Sequence, residues 1–366
     1  MRILALVTDA FGSSGGIAKF NRDLLSALCA HPGCDEVVAI PRLMLEPGGP
    51  LPPKLSYITS GLNSKWRFAL AVVRAAFARP PFSLIFCGHI NLVPIGFVAA
   101  KLARTPFVTM LHGVEAWQPA SNHLTRFLVR FAGSFIAVSE TTRQRFLGWA
   151  TVRNASSYVL PNSIDVSHFG PGQPNPRLLD RYGLRGRKVL LTLGRLSADE
   201  RYKGVDEVLE ILPKLVEKVP NLVYLIVGDG TDRARLEDKA RQQGLAGHVV
   251  FAGRVSEEEK ADHYRVADAF VMAGWGEGFG IVYLEAMACG IPVVASKLDA
   301  SREAVRDGEL GVLVDPKNPV ELRDGILAAL QKAKGRVPAG LAYFSYANYQ
   351  RRCHEIIDAI CSARLK

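Results

Sequence analysis

Twelve short apolar runs recur along this chain, most of them separated by helix-length segments whose apolar residues repeat near a 3.6 spacing. A first series covers residues 3–7, 36–40, 84–87, 107–111, 134–138 and 158–160. A second covers 189–193, 222–227, 249–252, 269–272, 292–295 and 311–314. The runs are continuous, not alternating, so each strand must be covered on both faces. A helix between successive strands is the connection that parallel pairing requires. The pattern predicts an α/β chain with two doubly wound parallel sheets. Between the series lies PNSIDVSHFGPGQPNPRLLDRYGLRGRK, dense in Pro, Gly and Asn, which reads as a connector. The expected domains are therefore 1–165 and 188–340, with 166–187 as linker. Ligands of such sheets bind beyond the carboxyl ends of the strands, which places the expected site in a central cleft that both domains face.

Composition narrows the class. With 366 residues, 48% hydrophobic and 22% charged, the chain suits a two-domain globular protein, and a disordered or fibrous chain is excluded. Cys29, Cys34, Cys87, Cys289, Cys353 and Cys361 show no CxxC and no metal-ligand spacing, so reduced thiols and a cytoplasmic location are expected. MRILALV reads as a first strand and not as a signal segment. The longest charge-free stretch, 80–100, is interrupted by Gly88, His89, Asn91, Pro94 and Gly96. It reads as buried strand, polar loop and buried helix, not as a membrane span.

Residues 1–170 carry 16 Lys and Arg against 8 Asp and Glu, whereas 171–366 carry 29 against 27. A basic surplus confined to one half suits an anionic partner there. Residues 63–79 interleave Lys65, Arg67, Arg74 and Arg79 with Trp66, Phe68 and Phe77. As a helix they either lie on an anionic bilayer or pack on the core with solvated arginines. Nothing supplies the aromatic stacking platform that nucleic acid requires.

Several strand ends carry chemistry. Gly15 and Gly16 sit in DAFGSSGGI, between the first strand and a helix. Bare amides at a helix N-terminus suit a phosphate, and a tight connection accounts for the same glycines equally well. His112 and Gly113 follow the run 107–111. In LTLGRLSADERYKG, Gly194 and Arg195 end a strand while Lys203 and Gly204 open a helix. Two cations bracketing one loop can hold a diphosphate and neutralise it as it departs. Glu200 and Arg201 between them read as a solvated surface pair. Gly228, Asp229 and Gly230 end another strand, and Gly253 and Arg254 a further one. In AGWGEGFGIVYLEAMACGIPVVAS, Glu277 precedes Gly278, Phe279 and Gly280, and Ile281 opens a helix carrying Glu285. Two carboxylates flanking a phosphate-binding turn suit the hydroxyls of a nucleotide-sugar. No DxD and no His/Cys metal constellation stands at a strand end, so no cofactor is required; Mg²⁺ is left open as an aid to activity.

With these residues in place, the chain resembles the retaining glycosyltransferases of family 4, the group 1 enzymes of GT-B fold. The resemblance rests on Gly15-Gly16-Ile17, His112-Gly113, Pro161-Asn162 with Asp165 and Phe169, Gly194-Arg195 with Lys203-Gly204, Gly228-Asp229-Gly230, Phe251 with Gly253, and the string from Glu277 to Glu285. It implies transfer of a hexose, with retention, from a nucleotide diphosphate sugar to a hydroxyl of a glycan or lipid-linked acceptor. GDP-mannose leads because ADERYKG resembles polysaccharide-assembly enzymes, with UDP-glucose or another UDP-sugar next. The resemblance further implies a catalytic set of His112, Arg195, Lys203 and Glu277. In that set Gly16 approaches the diphosphate, Arg195 and Lys203 stabilise it as leaving group, and His112 sits beside the reacting sugar. The backbone at Phe279, Gly280 and Ile281 adds donors, Glu277 meets the donor-sugar hydroxyls and Glu285 the ribose, and Gly253 with Arg254 lines the base pocket. Residues 341–366 resemble a terminal helix that crosses back to the first domain. A peripheral place on the inner face of the cytoplasmic membrane follows from a lipid-linked acceptor. The chain departs from the family in the longer loop 197–202, in Ser163 and in Gly274-Trp275. A nucleotide-sugar epimerase of the same fold and a non-catalytic binder stay as alternatives. A dehydrogenase is set aside, because no GxGxxG with a ribose-binding acid appears.

Overall fold

The computed structural model describes residues 1–12, 15–45, 48–152 and 155–362. Ser13 and Ser14 of the first glycine-rich loop, and 363–366 of the expected terminal segment, lie outside the described residues. The chain forms two units: Met1–Ser163 together with Tyr346–Lys366, and Ile164–Ser345.

The first unit holds seven strands: β1 (Arg2–Val7), β2 (Glu36–Pro41), β3 (Leu55–Tyr57), β4 (Leu84–Cys87), β5 (Phe107–Leu111), β6 (Ser134–Ala137) and β7 (Ser156–Val159). All pair in parallel, in the order β3-β2-β1-β4-β5-β6-β7. The charge-free stretch gives β4, a 3₁₀ turn and the helix Val93–Ala103. A Cβ on Gly96 of that helix would lie 1.9 Å from Cys87 Sγ, so only glycine lets the helix settle on the sheet. The helix Tyr346–Ser362 buries Tyr349, Cys353, Ile356, Ile357 and Ile360 and runs beside Gly16–Ala30. There His354 Nε2 lies 2.8 Å from the Ala27 carbonyl, and His31 lies 3.1 Å from Asp358.

The second unit holds β8 (Lys188–Leu193), β9 (Leu222–Val227), β10 (Val249–Gly253), β11 (Ala269–Met272), β12 (Val293–Ser296) and β13 (Val312–Val314), parallel in the order β10-β9-β8-β11-β12-β13. The stretch read as a connector belongs to this unit and is anchored on it. It contains the helix Pro176–Arg181, and Leu178 and Leu184 are buried. Arg265 donates to the Gly170 carbonyl at 3.0 Å, and Asn175 to Asp262 at 2.7 Å. Its Pro and Gly density has a local cause: Asn175 caps that helix, Pro176 opens it, and Gly183 and Gly186 turn with positive φ.

All twelve apolar runs fall on strands, with ends differing by two residues at most. The strand the pattern missed is β3, a three-residue edge strand, Leu-Ser-Tyr, that is never fully buried and so leaves no apolar run. The strand order reverses between β1 and β4 and again between β8 and β11. Loops leaving such a pair diverge and open a crevice at the strands' carboxyl ends. Those loops begin at residues 8 and 88 in the first unit, and are 194–204 and 273–280 in the second. The six cysteines are free thiols, five of them buried. Among the described residues no helix is long and apolar enough to cross a membrane.

Candidate active site

In the second unit the crevice is walled by backbone laid on backbone. A Cβ on Gly228 (φ +142) would sit 1.8 Å from the Gly194 carbonyl oxygen, and one on Gly230 (φ +158) 2.2 Å from that of Leu196. Across the reversal, a Cβ on Gly204 (φ +87) would meet the Ala273 carbonyl oxygen at 2.0 Å, and one on Gly274 that of Tyr202 at 2.2 Å. The Trp275 amide donates to the Tyr202 carbonyl at 2.9 Å. The loop carrying Lys203 is thereby clamped to the turn carrying Glu277.

This clamp decides where the charges point. The carboxylate of Glu200 accepts from the Arg195 guanidinium and stands 2.7 Å from Lys203 Nζ. Lys203 is 15% exposed while Arg195 is 77% exposed, so the first is a wall of the site and the second its rim. Glu200 and Arg201 are not a surface pair with each other. Arg201 turns to the buried carboxylate of Asp232 at 2.8 Å, which needs a cation, and Glu200 is held by the two cations of the site.

The Glu277 amide donates to Asp299 Oδ2 at 2.8 Å. Burial pushes the Glu277 carboxyl up to about 7; Lys203 and Arg195 oppose the rise, and Asp299 and Glu200 add to it. A carboxyl whose folded pKa lies above its unfolded one binds its proton more tightly in the native state. Stability should therefore fall as pH rises from about 4.5 to about 7 and level off beyond. Glu277→Gln should remove that part of the slope. Melting temperatures of the two proteins across this range, without nucleotide, check it: parallel curves would mean that Glu277 does not titrate there.

Past Glu277 the chain turns through Gly278 and Phe279, both buried, with the Phe279 ring edge-on to Phe344 at 5.6 Å. Gly280 (φ +85) opens the helix Ile281–Ala288, whose first amides have no intrahelical partner. Glu285, on that helix, is 2% exposed. It accepts from the Tyr264 hydroxyl at 2.8 Å, with Lys260 Nζ 3.9 Å away. Asp229 pairs with Arg233 at 3.3 Å, the Gly228 amide donates to the Gly253 carbonyl at 2.8 Å, and Arg254 is exposed.

In the first unit, His112 follows β5. Its amide and that of Gly113 donate to Glu115 Oε1 at 2.6 and 3.1 Å, and its Nε2 lies 2.8 Å from the Gly88 carbonyl. Burial lowers the His112 pKa, with Glu115 opposing, so the ring is neutral at pH 7. A carbonyl only accepts, so Nε2 carries the proton and Nδ1 the lone pair. Burial, and then His112 itself, holds neighbouring His89 down to about 4. Asp9 fixes the start of the glycine-rich loop: its Oδ1 accepts from Ala10 and Gly12, and its carbonyl from Asn21 at 2.7 Å. Gly15 has φ +116, whereas Gly16 has neither a positive φ nor any atom within 4 Å of a built Cβ.

The fold thus brings Gly194, Arg195, Lys203, Gly228, Asp229 and the Glu277–Gly280 turn to one crevice. Glu285 is on the adjoining helix with its carboxylate toward Tyr264, Gly253 joins through Gly228, and Arg254 is at the surface. Gly15, Gly16 and His112 form the corresponding crevice of the first unit. Sequence reasoning missed Asp299, Tyr264, Lys260 and Glu115, and misread Glu200. Asp299 stands three residues past β12 and was open to the same strand-end argument that found His112. Among the described residues no three His, Cys, Asp or Glu side chains cluster to hold a metal ion.

Two family models cover most of the chain: "Glycosyltransferase Family 4" matches residues 14–168 and "Glycosyl transferases group 1" residues 179–340. A GDP-mannose-dependent alpha-(1-6)-phosphatidylinositol monomannoside mannosyltransferase of Mycolicibacterium smegmatis is 37% identical over 61% of this chain, which spans 60% of that relative's length. A phosphatidyl-myo-inositol mannosyltransferase of the same organism is 36% identical over 74% of this chain and 68% of its own. One of Mycobacterium leprae is 32% identical over 90% and 88%. Among solved structures, Anabaena HepE in complex with UDP and glucose superposes with TM-score 0.78 over 98% of this chain and 100% of that one, at 22% identity. The sucrose-phosphate synthase of Thermosynechococcus elongatus gives 0.76 over 99% of each chain, at 20%. At such identities the likeness is one of fold.

Proposed function

The chain belongs to glycosyltransferase family 4, and from that membership and its crevice we propose that it transfers mannose, with retention, from GDP-mannose to a hydroxyl of a lipid-linked or glycan acceptor. The observation that carries the reading is the convergence of Arg195 and Lys203 on one carboxylate, Glu200, beside the bare-amide turn at Phe279–Ile281. A diphosphate offers the same charge and acceptor geometry as that carboxylate, with more of both, and takes the two cations over from it.

Arg195, Lys203 and the amides of the turn then stabilise the diphosphate as it departs, so the step needs no bound metal. Glu277 accepts from donor-sugar hydroxyls, Glu285 orients the ribose, and Gly253 with Arg254 borders the base. Gly16, which no internal contact requires to be glycine, leaves room for a phosphate in the first unit's own crevice. Neutral His112 keeps its Nδ1 lone pair as an acceptor for a hydroxyl in the first unit's crevice. The relatives named for phosphatidylinositol mannosylation support GDP-mannose and a lipid acceptor. The helix Lys65–Ala76 buries Phe68 and Val72 while Trp66, Leu70 and Phe77 stay exposed among Arg67 and Arg74. That face supports peripheral contact of residues 63–79 with the inner, anionic face of the cytoplasmic membrane.

A thermal-shift series with GDP, GDP-mannose, UDP and UDP-glucose tests the donor. At a hundredfold excess over Kd a ligand stabilises by about 2.7 kcal/mol, a rise of roughly 5–10 °C for a unit of this size. GDP and GDP-mannose should give it and the uridine compounds less. No shift with any of the four would defeat the reading, and NMR detection of an epimerised sugar nucleotide from donor alone would replace it with an epimerase.

A further inference from the structure

Residues 48–139 hold nine Lys and Arg and a single acidic residue, Glu115, which is occupied by the His112 and Gly113 amides. Four of these cations, Lys101, Arg104, Arg126 and Arg130, belong to one group of elements of the first unit, away from its crevice residues. There the helix Val93–Ala103 packs beside the helix His123–Leu128 and the turn Val129–Phe131. The Phe97 ring meets Phe131 at 5.3 Å, and Phe131 meets Phe127 at 5.7 Å. Leu124, Phe127 and Phe131 are 54%, 51% and 48% exposed, three large apolar side chains left open on adjoining elements. Cations lie on the rings: Arg130 stands 3.7 Å over Phe127, and Lys101 Nζ 5.5 Å from Phe97. Phe97 and Phe131 line an open hollow of about 380 Å³ whose polar wall is Lys101, Arg104 and Thr105. Arg104 ends its helix at φ 51, a left-handed position that favours glycine or asparagine, yet a cation stands there.

We propose that this surface seats on an anionic phospholipid bilayer, the hollow taking the phosphate of one lipid headgroup between Lys101 and Arg104 while Leu124, Phe127 and Phe131 enter the interface. Rings capped by cations suit the boundary between acyl chains and headgroups, where the apolar face is buried and the charge meets phosphate. A second copy of the chain is a poor occupant, because two-fold contact would lay Lys101, Arg104 and Arg130 against their own copies. The surface adjoins residues 63–79, whose helix packs against Val93–Ala103, and the paired substitutions below tell the two faces apart.

The test is co-sedimentation of the full chain with phosphatidylcholine vesicles, with and without phosphatidylglycerol. Each basic side chain near an anionic leaflet tightens partition by roughly fivefold. Lys101→Gln/Arg104→Gln should therefore bind anionic vesicles roughly thirtyfold more weakly. Phe127→Ser/Phe131→Ser should weaken binding as well, and both variants should keep the wild-type melting temperature and GDP response. Trp66→Ser/Phe77→Ser, measured in parallel, reports separately on the 63–79 face. Wild-type affinity in both of the first two variants would overturn the proposal. So would equal binding to vesicles lacking phosphatidylglycerol, or loss of a wild-type dimer in sedimentation velocity on either double substitution.

Discussion

Lys203→Ala is expected to lower turnover by roughly 100–1,000-fold, the usual consequence of deleting one preorganised group that meets developing charge. Unlike Arg195, this lysine is held inside the wall of the crevice, paired with Glu200, on a loop that Gly204 and Gly274 fasten to the opposite turn. Its charge is thus in place before a diphosphate arrives and costs no reorganisation. The loss has a second component. Lys203 is the chief influence keeping the Glu277 carboxyl from rising further, so without it Glu277 is still more protonated at neutral pH and accepts poorly from sugar hydroxyls. Glu277→Ala should fall in the same range. Steady-state rates with donor and acceptor, alongside melting curves showing both variants folded, decide the matter. Near-wild-type turnover in either would remove the assignment.

The second large effect is structural. Gly228→Ala should destabilise by about 2–4 kcal/mol, combining overpacking with a left-handed backbone that tolerates a Cβ badly. The melting temperature of the second unit should fall by roughly 5–15 °C. The added methyl would have to displace the Gly194 carbonyl from 1.8 Å, so the turn carrying Arg195 moves with it and GDP binding is lost too. Gly244→Ala is the matched control. It has φ +71 with nothing within 4 Å, and should cost about 1 kcal/mol with GDP binding intact. Equal losses in the two variants would show that strain alone matters and that the stacked turns do not.

The strands were legible in the sequence because parallel sheets bury both faces, which writes each strand as an unbroken apolar run. β3 escaped because an edge strand of three residues has no such need. The crevice was legible wherever its chemistry depends on backbone. A glycine among apolar residues at a strand end announces close approach, and Gly228 and Gly274 sit at such approaches. Side-chain partners were not legible. Nothing local to ADERYKG says that Glu200 faces inward to two cations while Arg201 faces outward to Asp232, 31 positions further along. Nor does the spacing of Glu285 foretell Tyr264, which arrives from a different helix. The stretch 166–187 has the composition of a tether, yet three of its apolar residues, Phe169, Leu178 and Leu184, are buried.

The helix Tyr346–Ser362 completes the first unit with five buried side chains against a body otherwise finished by Ser163. During synthesis that body emerges early yet lacks its last hydrophobic layer until Ile360 has left the ribosome, whereas Ile164–Ser345 is contiguous and can close as soon as it appears. The half made first is therefore the half finished last, and for that interval the flank of Gly16–Ala30 that Phe20 and Ala27 present to the terminal helix stays bare to chaperones and to aggregation.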